Sequence, residues 1–186
     1  MSKPTPLLVL GLGNVLLADD GVGAAAVSLL LNRYQPPCDV RVLDGGTLGL
    51  SLLPYLEEAD TVILVDAIRA DAPAGSLVRL DGEEVAPAVA TRLSPHQIGV
   101  ADLLDGARWL GRYPSRLVLL GIVPDAIDLA VGLSPMAARS LPELVARVVD
   151  EAARLGFVFS PVAHTNTDET PSALGRVDVA RLASVR

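Results

Sequence analysis

The sequence has 186 residues, of which 51% are hydrophobic and 20% charged, and its 22 acidic and 15 basic side chains give a formal net charge of -7. This composition excludes a disordered chain, and one domain is expected because single domains usually hold about 100–200 residues. The acidic balance excludes nucleic acid as the expected partner, since phosphates select basic surfaces. The single cysteine, Cys38, excludes an intramolecular disulfide framework and a cysteine-rich zinc site.

Predicted strands alternate with predicted helices along the chain. Strands are expected where apolar runs end at turn residues, and helices where apolar residues recur at helical spacing. The expected order is strand Leu7–Leu10, helix Gly21–Asn32, strand Asp39–Leu43, helix Leu48–Glu58, strand Thr61–Val65, edge-hairpin strand Gly75–Leu80, helix Ile98–Leu110, strand Arg116–Ile122 and helix Pro135–Leu155. This order predicts an α/β fold, a three-layer sandwich whose twisted, mostly parallel sheet of about five strands carries helices on both faces.

The composition changes after Phe159. Residues 1–159 are predicted to form one α/β domain, and residues 160–186 a polar C-terminal tail. Within that tail, Ser160–Ser172 is polar and contains two prolines, which is typical of a mobile segment.

The apolar run near the N-terminus is short and leads directly into Gly11. A signal peptide needs a longer apolar region and a small-residue cleavage site, and a membrane span needs about 18 or more apolar residues in sequence. We therefore expect a cytoplasmic protein that makes no membrane contact.

Polar clusters follow several of the predicted strands. They are Asn14–Asp20, Asp44–Thr47 and Asp66. In open parallel sheets, ligands bind outside the carboxyl ends of the strands. The sequence therefore predicts a cleft where these clusters meet.

The glycines after the first strand allow a nucleotide-binding interpretation. A dinucleotide fingerprint needs a third glycine, which Leu16 replaces, and the adjacent Asp19 and Asp20 would repel a diphosphate. Asp44 can imitate the ribose-binding acid, so a nucleotide-dependent oxidoreductase remains an alternative. The other interpretation is a tight turn between a strand and a helix.

Three side chains are candidates for the chemistry. Asp20 precedes the first helix, Asp66 ends the most apolar strand, and His96 lies in Ser94-Pro95-His96-Gln97 before a helix. Each also has a structural interpretation: the two aspartates as caps of a helix or turn, and His96 as a surface histidine. Two carboxylates and one imidazole together suit a divalent transition metal with open positions for water or substrate.

Four motifs in this order resemble one known family. They are GLGNVLLADDGVG (residues 11–23), DGGTLG (residues 44–49), VDA (residues 65–67) and SPHQ (residues 94–97). The sequence resembles the hydrogenase maturation endopeptidases, and the match runs from about Leu7 to about Leu155.

The resemblance implies an endopeptidase that removes the C-terminal peptide of a NiFe hydrogenase large-subunit precursor after nickel insertion. By that similarity, Asp20, Asp66 and His96 are catalytic and contact nickel held by the precursor, which acts as the recognition element. Position 20 is often glutamate in the family, so Asp19 is a candidate to share its role.

The resemblance has further consequences for the cleft and the metal. It implies that Asn14, Asp44, Gly45, Gly46 and Thr47 shape the substrate cleft. Because the ligand set holds one nitrogen and two oxygens, the protein alone is expected to bind nickel weakly, and no nucleotide is expected. The alternative from another class is a non-enzymatic checkpoint or chaperone that binds the nickel site of the large subunit without cleaving it.

Overall fold

A five-stranded sheet forms the centre of the computed structural model, which describes residues 5–90 and 98–162. In chain order, the strands and α-helices are β1 Thr5–Leu12, α1 Val22–Arg33, β2 Tyr34–Gln35, β3 Val40–Gly46, α2 Leu53–Glu57, β4 Ala59–Ala67, β5 Leu77–Asp81, α3 Val85–Ala90, α4 Ile98–Trp109, β6 Arg116–Ile122, α5 Pro135–Arg154 and β7 Ser160–Pro161. Single 3-10 turns occupy Ala18–Gly21, Gly49–Leu52 and Gly82–Glu84.

The strand order in the sheet is β3-β1-β4-β6-β5. Neighbours among the first four strands run parallel, and β5 pairs antiparallel with β6 at the edge. The predicted α/β class and mostly parallel sheet are therefore confirmed. The edge position of the strand predicted at Gly75–Leu80 is also correct, but it pairs with β6, which follows two helices later, instead of forming a hairpin.

The two faces of the sheet are covered by different helices. Leu7 and Val9 of β1 pack in one apolar cluster with residues of α1 and α5, and Leu8 and Leu10 pack in the other with α2, α3 and α4. This division follows from the alternation of side chains along a strand. Because both faces are covered, the central strands are apolar throughout, as parallel strands usually are.

The helix predicted over Leu48–Glu58 is divided into a 3-10 turn and α2, and Pro54 stands at the start of α2. Ser160 and Pro161 pair with Gln35 and Tyr34, so regular structure continues two residues beyond the predicted domain end at Phe159. Residues 163–186 lie outside the described part of the chain. Within the described ranges, no helix is long and apolar enough to span a membrane.

Candidate active site

The carboxyl ends of β1, β3 and β4 lie side by side at one edge of the sheet. Gly11 is in register with Val65, and Leu12 with Gly46. The chain segments that leave these strands therefore meet, as expected from the sequence. They bring Asp20, Asp66 and the turn from Asp44 to one region.

Asp20 is buried, with 1% of its surface exposed, in the 3-10 turn Ala18–Gly21. The backbone N–H of Asn14 donates to its Oδ2 at 2.8 Å. The side chain of Asn14 is used within the same loop, because its Oδ1 accepts from the backbone N–H of Leu16 at 3.0 Å. Asn14 therefore orients the loop that carries Asp20.

Asp66 is fully buried at the end of β4. The backbone N–H of Ala67 donates to Asp66 Oδ1 at 2.7 Å. Transfer of a carboxylate from water to such a position is costly, so this side chain is not explained by the packing of the strand.

Gly13 lies close to the backbone of Asp20 and to the side chain of Asp66. Its φ of +117° is in the region that favours glycine. A Cβ at this position would overlap the backbone oxygen of Asp20 and would lie 3.6 Å from Asp66 Oδ1. The absence of a side chain at Gly13 thus lets the turn that carries Asp20 pack close to Asp66 at the end of β4.

Asp19 has a different role from its neighbour. Its Oδ2 accepts from the backbone N–H groups of Asp125 and Ala126 and from the Ser134 hydroxyl, and its Oδ1 accepts from the Ser134 N–H. Burial raises the pKa of the Asp19 carboxyl. The hydrogen bonds from Ser134, Asp125 and Ala126 together lower it by more than burial raises it, so the net pKa lies below the usual 3.8.

Two interpretations of this aspartate pair change as a result. The N-cap of α1 is Gly21, and no side chain accepts a capping hydrogen bond there, so neither Asp19 nor Asp20 caps this helix. With both of its oxygens bound to residues 125–134, Asp19 is a structural anchor, which argues against its sharing the role of Asp20.

The turn after β3 lies beside Gly13. The Gly46 N–H donates to Asp44 Oδ1 at 3.0 Å, and the Gly46 carbonyl accepts from the Gly13 N–H at 3.1 Å. Asp44 and Thr47 are exposed, whereas Gly45 is buried against Leu10. The turn from Asp44 to Thr47 is therefore joined to the loop of Gly13 through Gly46.

His96 and the rest of the motif Ser94-Pro95-His96-Gln97 lie outside the described residues. Gly99, which follows in α4, packs directly on the turn after β3, since a Cβ on Gly99 would come 2.7 Å from the Cα of Gly49. Within residues 5–90 and 98–162, no three His, Cys, Asp or Glu side chains form a group that could hold a metal ion.

The loop of residues 123–134 contacts Asp19 and was not a candidate from the sequence. Residues 123–127 and Arg69 line an open pocket of about 270 Å³ beyond β4 and β6. The same loop continues to Ser134, where Asp19 holds it. Its only sequence signal is a set of apolar residues, Leu129 and Val131 among them, in a segment without helical or strand periodicity.

Comparisons with known proteins show which family and fold this chain resembles. A family model described as hydrogenase maturation protease matches residues 24–151. The chain is 41% identical over 131 residues to the hydrogenase 2 maturation protease of Escherichia coli K12, an alignment that covers 69% of this chain and 79% of that one. It is 38% identical over 177 residues to the hydrogenase expression/formation protein HupD of Rhodobacter capsulatus, covering 94% and 84% of the two chains.

Among solved structures, the hydrogenase maturating endopeptidase HybD from E. coli superposes with a TM-score of 0.80 at 34% sequence identity. That superposition covers 84% of this chain and 98% of the other.

Proposed function

The chain belongs to the hydrogenase maturation protease family, and from this premise we propose that it removes the C-terminal peptide of a NiFe hydrogenase large-subunit precursor after nickel insertion. The observation that carries the proposal is that two buried acids, Asp20 and Asp66, both lie close to the loop of Gly13 and Asn14. Burying a carboxylate is costly, and ligands of parallel α/β sheets bind at the carboxyl ends of the strands, so these two acids are the best candidates for a site.

Nickel is part of the substrate in this proposal. Asp20, Asp66 and His96 contact the nickel that the precursor already holds, so that only a loaded precursor is positioned for cleavage. Of the segment around His96, the described residues show only that Gly99, three positions later in the sequence, packs on Gly49. One nitrogen and two oxygens bind nickel weakly by themselves, which leaves recognition dependent on the precursor.

Amide hydrolysis adds water to the scissile carbonyl carbon and breaks the C–N bond, and the leaving nitrogen takes up a proton. Metal in the bound precursor can polarise the carbonyl or the water. A carboxylate of Asp20 or Asp66 can accept the proton that the water gives up. We propose that this chemistry takes place in the cytoplasm, where we expect the protein.

The test is intact-mass analysis of a nickel-loaded large-subunit precursor after incubation with the wild-type protein, with nickel-free precursor in parallel. We expect loss of a C-terminal peptide only from the loaded precursor. The variants D66N, D20N and H96A are expected to lower the rate at least about 100-fold, since each removes a ligand or proton acceptor.

The matched control is D60N, because Asp60 lies on the same strand as Asp66 but is exposed near its opposite end. Its rate is expected to equal that of the wild type. Cleavage of both precursors, or full activity of D66N, would contradict the proposal. Binding of the loaded precursor without any mass change would instead support the non-enzymatic checkpoint.

A further inference from the structure

Four exposed apolar side chains lie next to the carboxylate site. Val15 and Leu16 are 52% and 54% exposed, and Leu129 and Val131 are 86% and 84% exposed. We call these four residues the apolar rim. Single exposed apolar residues are common, but groups of them beside a site mark interaction surfaces.

Backbone hydrogen bonds join the two halves of the rim. The Ala18 N–H donates to the Ala130 carbonyl at 2.9 Å, and the Ala130 N–H donates to the Leu16 carbonyl at 3.1 Å. Leu17 and Ala130 also form an isolated parallel β-bridge. Leu129 and Val131, which flank Ala130, therefore lie alongside the segment that carries Leu16. The four side chains therefore belong to one surface.

Asp19 fixes this surface to the core. Its carboxylate accepts four hydrogen bonds from Asp125, Ala126 and Ser134, which lie on both sides of the rim segment at residues 129–131. A surface held in this way loses little conformational entropy when a partner covers it. Leu129 and Val131 are thus exposed on a loop that is held in place by hydrogen bonds on both sides of them.

The rim is continuous with the site. Val15 and Leu16 follow Asn14, whose backbone N–H donates to Asp20, and the Leu16 N–H donates to the Asn14 side chain. A folded protein whose chain reaches Asp20 and Asp66 must cover the residues of this same loop. Its surface there would have to be apolar at the centre, and uncharged or basic beside the exposed Asp125 and Asp128.

We propose that the apolar rim is the docking surface for the folded body of the hydrogenase large-subunit precursor. This inference rests on the proposed function, because it takes the precursor as the substrate. The rim binds the body of the precursor outside the cleaved peptide, so it affects affinity and leaves the chemical step unchanged.

The experiment compares the double variant L129S/V131S with V158S and the wild type in cleavage of the nickel-loaded precursor. Val158 is 70% exposed outside the rim, which makes V158S a matched apolar-to-polar control. We expect KM to rise about tenfold or more in the double variant, with kcat within about twofold of the wild type and an unchanged Tm. V158S should have the KM of the wild type.

Binding is measured separately, by titration of each protein with the loaded precursor. If the wild type binds without cleaving and L129S/V131S loses the binding, docking stands while the proposed cleavage fails. Cleavage by L129S/V131S with the KM of the wild type would overturn the docking proposal. A wild-type protein that dimerises when the double variant does not would also overturn it, since a second copy would then be the occupant.

Discussion

At the residue scale, two adjacent aspartates have separate tasks. Asp19 and Asp20 are both buried in one 3-10 turn. Asp19 accepts four hydrogen bonds from the loop of residues 125–134, whereas the Asp20 carboxylate accepts from the Asn14 N–H, next to Gly13. Sequence alone cannot assign these tasks. The side chains of adjacent residues in a tight turn point in different directions, and only the folded structure shows which of the two points toward the loop of residues 125–134.

Replacing Asp19 by asparagine should destabilise the protein by about 2–3 kcal/mol. The amide NH2 would face N–H and O–H donors that now meet carboxylate oxygens, so buried donors would lose their acceptor. Urea unfolding at neutral pH measures the effect. The control is D128N, because Asp128 is exposed on the same loop. Equal unfolding free energies for D19N and D128N would show that the four hydrogen bonds contribute nothing net.

At the element scale, a contact between two glycines fixes the start of α4. Gly49 has a φ of +52° in the turn after β3, and its Cα lies against Gly99. This contact connects the DGGTLG motif with the helix that follows the SPHQ motif. The DGGTLG motif is therefore joined to the first turn of α4 by close backbone packing that only glycine allows.

Gly99→Ala should lower the unfolding free energy by about 1–3 kcal/mol, because the new Cβ would come 2.7 Å from the Gly49 Cα and the backbone would have to move. It should also lower kcat for the loaded precursor, since the segment before α4 carries His96. Gly106→Ala is the matched control in the same helix: its Cβ would make an ordinary contact at 3.6 Å with Leu50, and alanine favours a helix by about 0.5–1 kcal/mol. A G99A protein as stable and active as G106A would contradict the prediction.

At the scale of the whole molecule, an ion pair connects the edge strand to the last long helix. The Arg79 guanidinium on β5 donates to Glu151 on α5 through Nε at 3.1 Å and through Nη2 at 2.8 Å, and Glu151 is 3% exposed. The hydrogen bonds from Arg79 hold the pKa of the Glu151 carboxyl below 4.5, against the effect of burial. Asp19 and Glu151 are thus two buried acids that stabilise the fold in their charged forms.

Stability should therefore fall in acid. Both carboxyls have folded-state pKa values below their unfolded values, so their stabilisation is complete above the unfolded values, near 4–4.5, and is lost as the pH falls through and below them. Urea unfolding between pH 6 and pH 3 is expected to show this loss. The double variant D19N/E151Q should be less stable at pH 6 and should have a flatter profile. A profile as steep as that of the wild type would assign the acid sensitivity to other groups.

The described fold was largely predictable from the sequence. Every apolar run that predicts a strand forms a strand in the structure. The strand predicted at Arg116–Ile122 also has the observed bounds. Runs such as Thr61–Val65 carry this information because a strand covered on both faces must be apolar throughout. Chain order did not reveal the antiparallel pairing of β5 with β6, because pairing depends on how distant segments meet.

The site divides in the same way. The sequence by itself determined the α/β fold, and it predicted a site at the carboxyl ends of the strands with Asp20, Asp66 and His96 as candidates, since local patterns place strand ends and turns. Only the tertiary structure decided that Gly13 packs close to both Asp20 and Asp66, that Asp19 anchors a distant loop, and that Leu129 and Val131 join Leu16 on one surface. These contacts join residues far apart in the chain, and hydrogen bonding and close packing between such segments leave no periodic signal in the sequence.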